Sequence, residues 1–123
     1  MNAILSIKPQ YVEEIAAGRK KFEFRKAFFK KPVEKVYVYA TAPVKRIVGE
    51  FRPCILLSGT PMDVWRFTDY YAGISKQEFD DYFKGREIAY AIMIDYYVKY
   101  KYPVSLPKGI RAPQSFCIVG NII

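Results

Sequence analysis

The chain has 123 residues, enough for one compact domain with its own core and too few for two ordinary ones. Hydrophobic residues make up 51% and charged residues 26%, a globular balance that excludes wholesale disorder. Histidine is absent, which excludes imidazole-based triads and the commonest zinc sites, while an excess of Lys+Arg over Asp+Glu, 20 against 12, favours a polyanionic partner such as nucleic acid.

In chain order, Ala3 to Ile7 is a short apolar run closed by Lys8-Pro9, which predicts a buried first strand leading into a helix. Pro9 suits the first helical position, and Tyr11, Val12, Ile15 and Ala16 recur at helical spacing over about three turns, up to Gly18. Lys8 then lies beside a helix N-terminus, where backbone N–H groups attract anions. Gly18 reads as the left-handed residue past the helix end, and Lys20 to Arg25 as the next strand. In such a strand Lys21, Glu23 and Arg25 share one face and Phe22 and Phe24 the other, with a bend at the corner able to re-aim Lys20. Two readings of this ionisable cluster stand: charges protecting an edge strand, or a functional site.

Lys26 to Lys31 forms a basic, aromatic loop in which Phe28 and Phe29 act as core plugs or as exposed stacking groups. Lys35 to Thr41 alternates, with Val36, Val38 and Ala40 on one face and Tyr37, Tyr39 and Thr41 on the other, so one face is expected inward. Val44 to Ser58 is a further strand or pair of strands interrupted by Gly49 and Pro53. Thr60-Pro61 with Asp63 caps a helix whose apolar stripe is Val64, Phe67 and Tyr71, ended by Gly73. Ser75 and Glu78 make a capping box for another helix running through Phe79, Tyr82 and Phe83 to Gly85. Ile88 to Tyr102 is a long strand broken by Pro103 and Pro107, and Ser115 to Val119 a short closing one after the loop Lys108 to Gln114. The order of elements predicts an α+β domain on a small, strongly bent sheet or barrel spanning residues 1–123 as a single unit.

No apolar run approaches the roughly 18 residues of a membrane helix, and no leader pattern opens the chain, so a soluble cytoplasmic protein with no membrane partner is expected. Cys54 and Cys117 lack metal-type spacing and read as buried thiols. Neither a metal nor a cofactor is expected, and any catalysis must run on Lys, Glu, Asp, Tyr or Thr.

Three blocks give the sequence a resemblance to the ASCH domain, a branch of the PUA-like superfamily of small β-barrels. They are Leu5-Ser6-Ile7-Lys8-Pro9 with Gly18-Arg19-Lys20-Lys21-Phe22-Glu23-Phe24-Arg25, Val38 to Val44 with Ile47 to Phe51, and Ala112-Pro113-Gln114-Ser115-Phe116. The resemblance implies a PUA-like β-barrel with peripheral helices, a cleft lined by Lys20, Glu23 and Arg25, and a function connected with RNA, another nucleic acid or a modified nucleoside. Proteins of this pattern are often labelled predicted transcriptional regulators. Others are enzymes, among them a ribonuclease and an amidohydrolase that deacetylates acetylated cytidine. The catalytic lysine of that amidohydrolase falls on Lys20, whereas its threonine falls on Glu23, a departure that does not preserve its chemistry.

Arginine and lysine can hold phosphate, and a glutamate can accept from an exocyclic amine, so Lys20, Glu23 and Arg25 suit a base plus phosphate better than phosphate alone. An internal salt-bridge network is the competing use of the trio. Gln114 and Ser115 are placed to read a base edge or to stabilise their turn; Thr41 ends an alternating strand, where its hydroxyl satisfies local backbone or meets a ligand, and Lys8 is placed at the rim. Tyr39 and Trp65 are stacking candidates, with helix-face packing the competing role for Trp65. Two functions follow: a nucleic-acid or nucleoside binding module, and a metal-independent hydrolase in which Lys20 is base or nucleophile and Glu23 handles protons.

Overall fold

Residues 1–123 are described by a computed structural model. Strand β1 (Asn2–Ile7) carries the apolar run Ala3-Ile4-Leu5 and Ile7, all buried, because it lies inside the sheet with a strand on either side. It pairs in parallel with β3 (Lys35–Ala40) and antiparallel with β6 (Phe116–Val119). Helix α1 (Pro9–Ala16) connects β1 to β2 (Phe22–Arg25); Lys8 is its extended N-cap and Pro9 its first residue. The helix has eight residues, about two turns rather than three, because Ala17 already caps it and Gly18 turns left-handed at φ +79°.

Strand β4 (Arg46–Gly59) is one 14-residue strand, although Gly49 and Pro53 suggested a break. The strand absorbs them as shifts of register against β5 (Ala89–Val104), which runs through Pro103 to its last residue. The sheet has six strands in the order β2-β5-β4-β3-β1-β6 and curls into a half barrel, with β2 and β6 as its ends. This is the expected α+β, PUA-like barrel architecture with peripheral helices.

Between β4 and β5 lie helices α2 (Pro61–Thr68) and α3 (Lys76–Tyr82), separated by a 3-10 turn at Asp69–Tyr71. Thr60 accepts a bond from Asp63 N at 3.2 Å, and the Ser75–Glu78 capping box is formed in both directions at 3.1 Å. The apolar stripe of α2 differs from the expected one. Val64 and Thr68, four residues apart on one face, point inward, Phe67 is 79% exposed, and Tyr71 lies on the surface in the 3-10 turn that follows. Trp65 packs against Phe79 with ring centroids 4.9 Å apart, the packing role.

Burial of β3 corrects the expectation of one inward face: Val36 and Val38 enter a cluster with Leu5, Ile7, Ile15 and Phe51, while Tyr37 and Tyr39 enter another with Ile4 and Ile47. The C-terminal segment, through Ile110, Val119 and Ile122, covers the second face. The thiols are corrected too, Cys54 being exposed and Cys117 half-buried. No helix is long and apolar enough to cross a membrane.

Candidate functional site

The site is built where α1 turns into β2. Arg19 N and Lys20 N both donate to Glu14 O, at 3.0 and 3.1 Å, so the chain leaves the helix in a tight corner. Lys20 consequently precedes β2 instead of belonging to it, and its amine comes to the side of Glu23, at 3.8 Å from Oε1. The lysine stem lies on Gly73, where an added Cβ would stand 2.3 Å from Lys20 Cβ. Gly73 also has φ +66°, so both its backbone conformation and its missing side chain are required there. Lys20 Nζ donates to Ala72 O at 2.8 Å.

Lys20, Glu23 and Arg25 are 1%, 6% and 8% exposed, although β2 is an edge strand. Their charges therefore do not serve as solvated edge protection. Arg25 Nη2 donates to Glu23 Oε2 at 3.0 Å and to Ser6 O at 2.8 Å, while Nη1 donates to Ser115 Oγ at 3.2 Å. Ser6 belongs to β1 and Ser115 precedes β6, so one guanidinium ties the first edge of the curled sheet to the far one. Backbone hydrogen bonds never close that gap; Arg25 spans it.

This arrangement corrects the role expected for Arg25. Its terminal nitrogens are engaged by protein acceptors and its Nε is buried without a partner, which leaves no exposed fork for a bidentate phosphate. Glu23 keeps Oε1 free of hydrogen bonds. The buried salt-bridge network and the cavity wall, competing readings in the sequence, are here the same three residues.

A cavity of about 650 Å³ opens over them. Lys20, Glu23 and Arg25 line it together with Gln114 and Ser115 from the closing loop. Lys8 and Thr41 also line it, Lys8 exposed and Thr41 in the turn after β3. Tyr39 does not. It projects from β3 to the opposite face of the sheet, packed with Ile4, Tyr37 and Ile47, and has no access to the cavity as a stacking group.

Sequence reasoning missed the wall formed by the helical insertion: Ile74, Glu78, Asp81 and Tyr82, faced by Tyr11 of α1. Glu78 had been read only as a capping residue. Its Oε1 does accept from Ser75 N, but its Oε2 accepts from Tyr11 OH and links α3 to α1 across the cavity. Nothing in the local pattern of either helix announces that link.

The electrostatics follow from burial. Desolvation, reinforced by Arg25 and opposed by Glu23, pushes the Lys20 amine below the ordinary lysine value. Its Nζ sits 4.9 Å from the Phe24 ring centroid and 5.4 Å from that of Tyr11. Burial, together with the bond to Glu78, pushes the Tyr11 phenol up to about 12. The cavity thus brings Lys8 and Lys20 together with the carboxylates of Glu23, Glu78 and Asp81; both oxygens of Glu78 are engaged, by Ser75 N and Tyr11 OH, whereas Glu23 Oε1 accepts no hydrogen bond. No group of metal-ligating side chains forms a cation site.

The fold and this geometry can be set beside known proteins. A curated protein of Zymomonas mobilis, "ASCH domain-containing ribonuclease", is 31% identical over 120 residues, covering 92% of this chain and 80% of that protein. The chain belongs to the ASCH domain family. The crystal structure of ASCH from Zymomonas mobilis superposes on this ASCH domain with a TM-score of 0.89 at 26% identity, covering 97% of this chain and 87% of that one. A large ribosomal subunit protein uL22 of Ureaplasma parvum matches at 36% identity over 86 residues, 68% of this chain but 28% of its own length. No family model matches the ASCH chain.

Proposed function

We propose that the cavity binds one nucleotide of an RNA strand. The observation that carries this reading is the pairing of Glu23 Oε1, an acceptor without a partner, with Lys20 on the floor of a cavity of about 650 Å³. A carboxylate in that position accepts from the exocyclic amine of a base, which favours cytosine, adenine or guanine over uracil. Gln114, which lines the same cavity from the closing loop, supports the same edge reading, and exposed Lys8 at the start of α1 is the better-placed phosphate contact, since the Arg25 guanidinium is engaged by the protein. A modified nucleoside carrying an amine fits the same description. The net charge of +8 supports a polyanion as the larger partner.

Metal-independent cleavage of that RNA is the second reading, supported by the ribonuclease name of the Zymomonas relative and by the lowered basicity of Lys20. The neutral amine would take the proton of a 2′-hydroxyl, whose oxygen attacks the adjacent phosphorus while the bond to the 5′-oxygen breaks. The ammonium so formed, held near Glu23, would return the proton to that leaving oxygen. The products would be a 2′,3′-cyclic phosphate and a 5′-hydroxyl.

Titrating cytidine- and uridine-containing RNA into the wild type and the Glu23→Gln variant tests the binding reading. Preference for cytidine should be at least tenfold and should fall away in Glu23→Gln; equal affinity for both bases in the wild type would overturn it. Incubating RNA with chelator present separates the two functions. A cyclic-phosphate product lost in Lys20→Ala supports cleavage, whereas tight binding without turnover leaves a binding module of the kind RNA-linked regulation needs.

A further inference from the structure

The loop that leaves β2 after Arg25 connects the cavity described above to a second one. At its start, Lys26 Nζ lies 4.6 Å from the centroid of the Tyr82 ring, and Tyr82 lines the first cavity. Farther along, Phe28, Phe29, Lys30 and Lys31 line a separate cavity of about 370 Å³. Its opposite wall is Ile55 and Leu56, 51% and 45% exposed, in the stretch of β4 where the register against β5 shifts.

The loop is held in place by aromatic packing. Phe28 and Phe29 lie with centroids 4.4 Å apart, Phe28 stacks on Tyr90 at 6.3 Å, and Phe29 meets Phe116 edge-on at 4.9 Å. Lys26, Lys30 and Lys31 are exposed, and none takes part in an ion pair. No acidic residue lines the second cavity, in contrast to the first with Glu23, Glu78 and Asp81. One cavity can therefore read a base edge, and the other offers only apolar surface flanked by cations. A ligand matching both must carry repeated negative charge and repeated flat apolar faces. Single-stranded RNA does, and a free nucleoside does not.

We propose that an RNA strand runs from the first cavity along this loop, with its phosphates on Lys26, Lys30 and Lys31 and a further base, of any identity, packed in the second cavity. The proposal rests on the RNA reading of the first cavity and extends it from one nucleotide to several.

Fluorescence anisotropy with a cytidine mononucleotide and RNA of two, four, six and eight residues tests it. Wild-type affinity should climb by at least tenfold between the mononucleotide and the hexamer and then level off. The double variant Lys30→Ala/Lys31→Ala, altered only at exposed side chains, should lose that gain and bind the mononucleotide like wild type. Its salt dependence for the hexamer should be shallower by about 1.4 logarithmic units per unit, two phosphate contacts at about 0.7 each for a single strand. Ile55→Glu, which adds a carboxylate to the second cavity, should weaken the hexamer alone. A mononucleotide that binds while longer RNA gains nothing, or a double variant with undiminished hexamer affinity, overturns the strand path and leaves the first cavity standing. An abasic hexamer that matches RNA reduces the second cavity to general charge attraction and overturns its base site. Failure of every RNA to bind the wild type overturns both readings.

Discussion

Strands β2 and β3 both bury both of their faces, and they treat their polar atoms differently. On β3 the Tyr37 hydroxyl is fully matched inside the protein: it donates to Asn121 Oδ1 at 3.1 Å and accepts from Ile122 N at 3.3 Å. On β2 the network is incomplete, with Glu23 Oε1 unbonded and Arg25 Nε buried alone. A buried polar group left short of partners costs stability wherever it lies, as at the Tyr97 hydroxyl of β5; what sets β2 apart is that its unbonded carboxylate oxygen belongs to a residue lining the cavity. The matched strand is scaffold and the short-changed strand faces the cavity.

Removing Arg25 breaks the contrast most severely. Arg25→Ala strands the Glu23 carboxylate beside a single, weaker partner and unties β2 from Ser6 and Ser115, a loss of about 3–5 kcal/mol. Urea unfolding should show it as a lower midpoint, and a shift below about 1 kcal/mol would mean the sheet edges hold without that bridge.

Gly73→Ala comes next. A methyl group there meets the Lys20 stem and forces a left-handed backbone on alanine, together costing about 2–4 kcal/mol, with Lys20 displaced from the cavity floor. Thermal unfolding checks the stability, and ligand titration checks the displacement.

Tyr37→Phe sharpens the contrast from the scaffold side. It should cost about 1 kcal/mol, since Asn121 and Ile122 lie at a margin where water can replace the hydroxyl, and it should leave RNA affinity unchanged. Glu23→Gln should show the reverse priority, with its main effect on binding.

The smallest effect is in pH. The folded-state pKa of Lys20 lies below its unfolded value of 10.5, so the folded chain sheds that proton first and Lys20 makes the fold relatively more stable as pH rises toward 10.5. Tyr11 works the other way. Its pKa is raised from 10.0 to about 12, so its contribution is complete below pH 10 and is lost as pH climbs through 12. The benefit of Lys20→Met should therefore be greater at pH 7 than at pH 10, a window in which the Tyr11 contribution stays nearly constant. Equal benefits at the two pH values would place the Lys20 amine in water.

Which parts of the site were legible is itself a matter of range along the chain. The Thr60 and Ser75 caps, the left-handed Gly18 and the burial of β1 follow from contacts within a few residues, and they were readable. Tyr11 with Glu78 and Lys20 with Gly73 are separated by 67 and 53 residues, the second being 73 − 20, and no local pattern encodes either pair. Tyr39 shows the same limit from the other side: its alternation with Val38 was correct, but which face met the cavity depended on the C-terminal segment covering the other.

By itself the sequence determined the element types, the charge, the absence of imidazole chemistry and the gathering of Lys20, Glu23 and Arg25 at one corner. Periodicity and capping are local physics, and they act before the chain is compact. Only the tertiary structure decided that the Arg25 guanidinium is engaged by Glu23, Ser6 and Ser115 across the open side of the sheet, that α3 supplies an acidic wall, and that the Lys26–Lys31 loop lies between two cavities. Each of these depends on groups far apart in the chain competing for the same buried hydrogen bonds, and that competition is settled only when the curled sheet brings its two ends together.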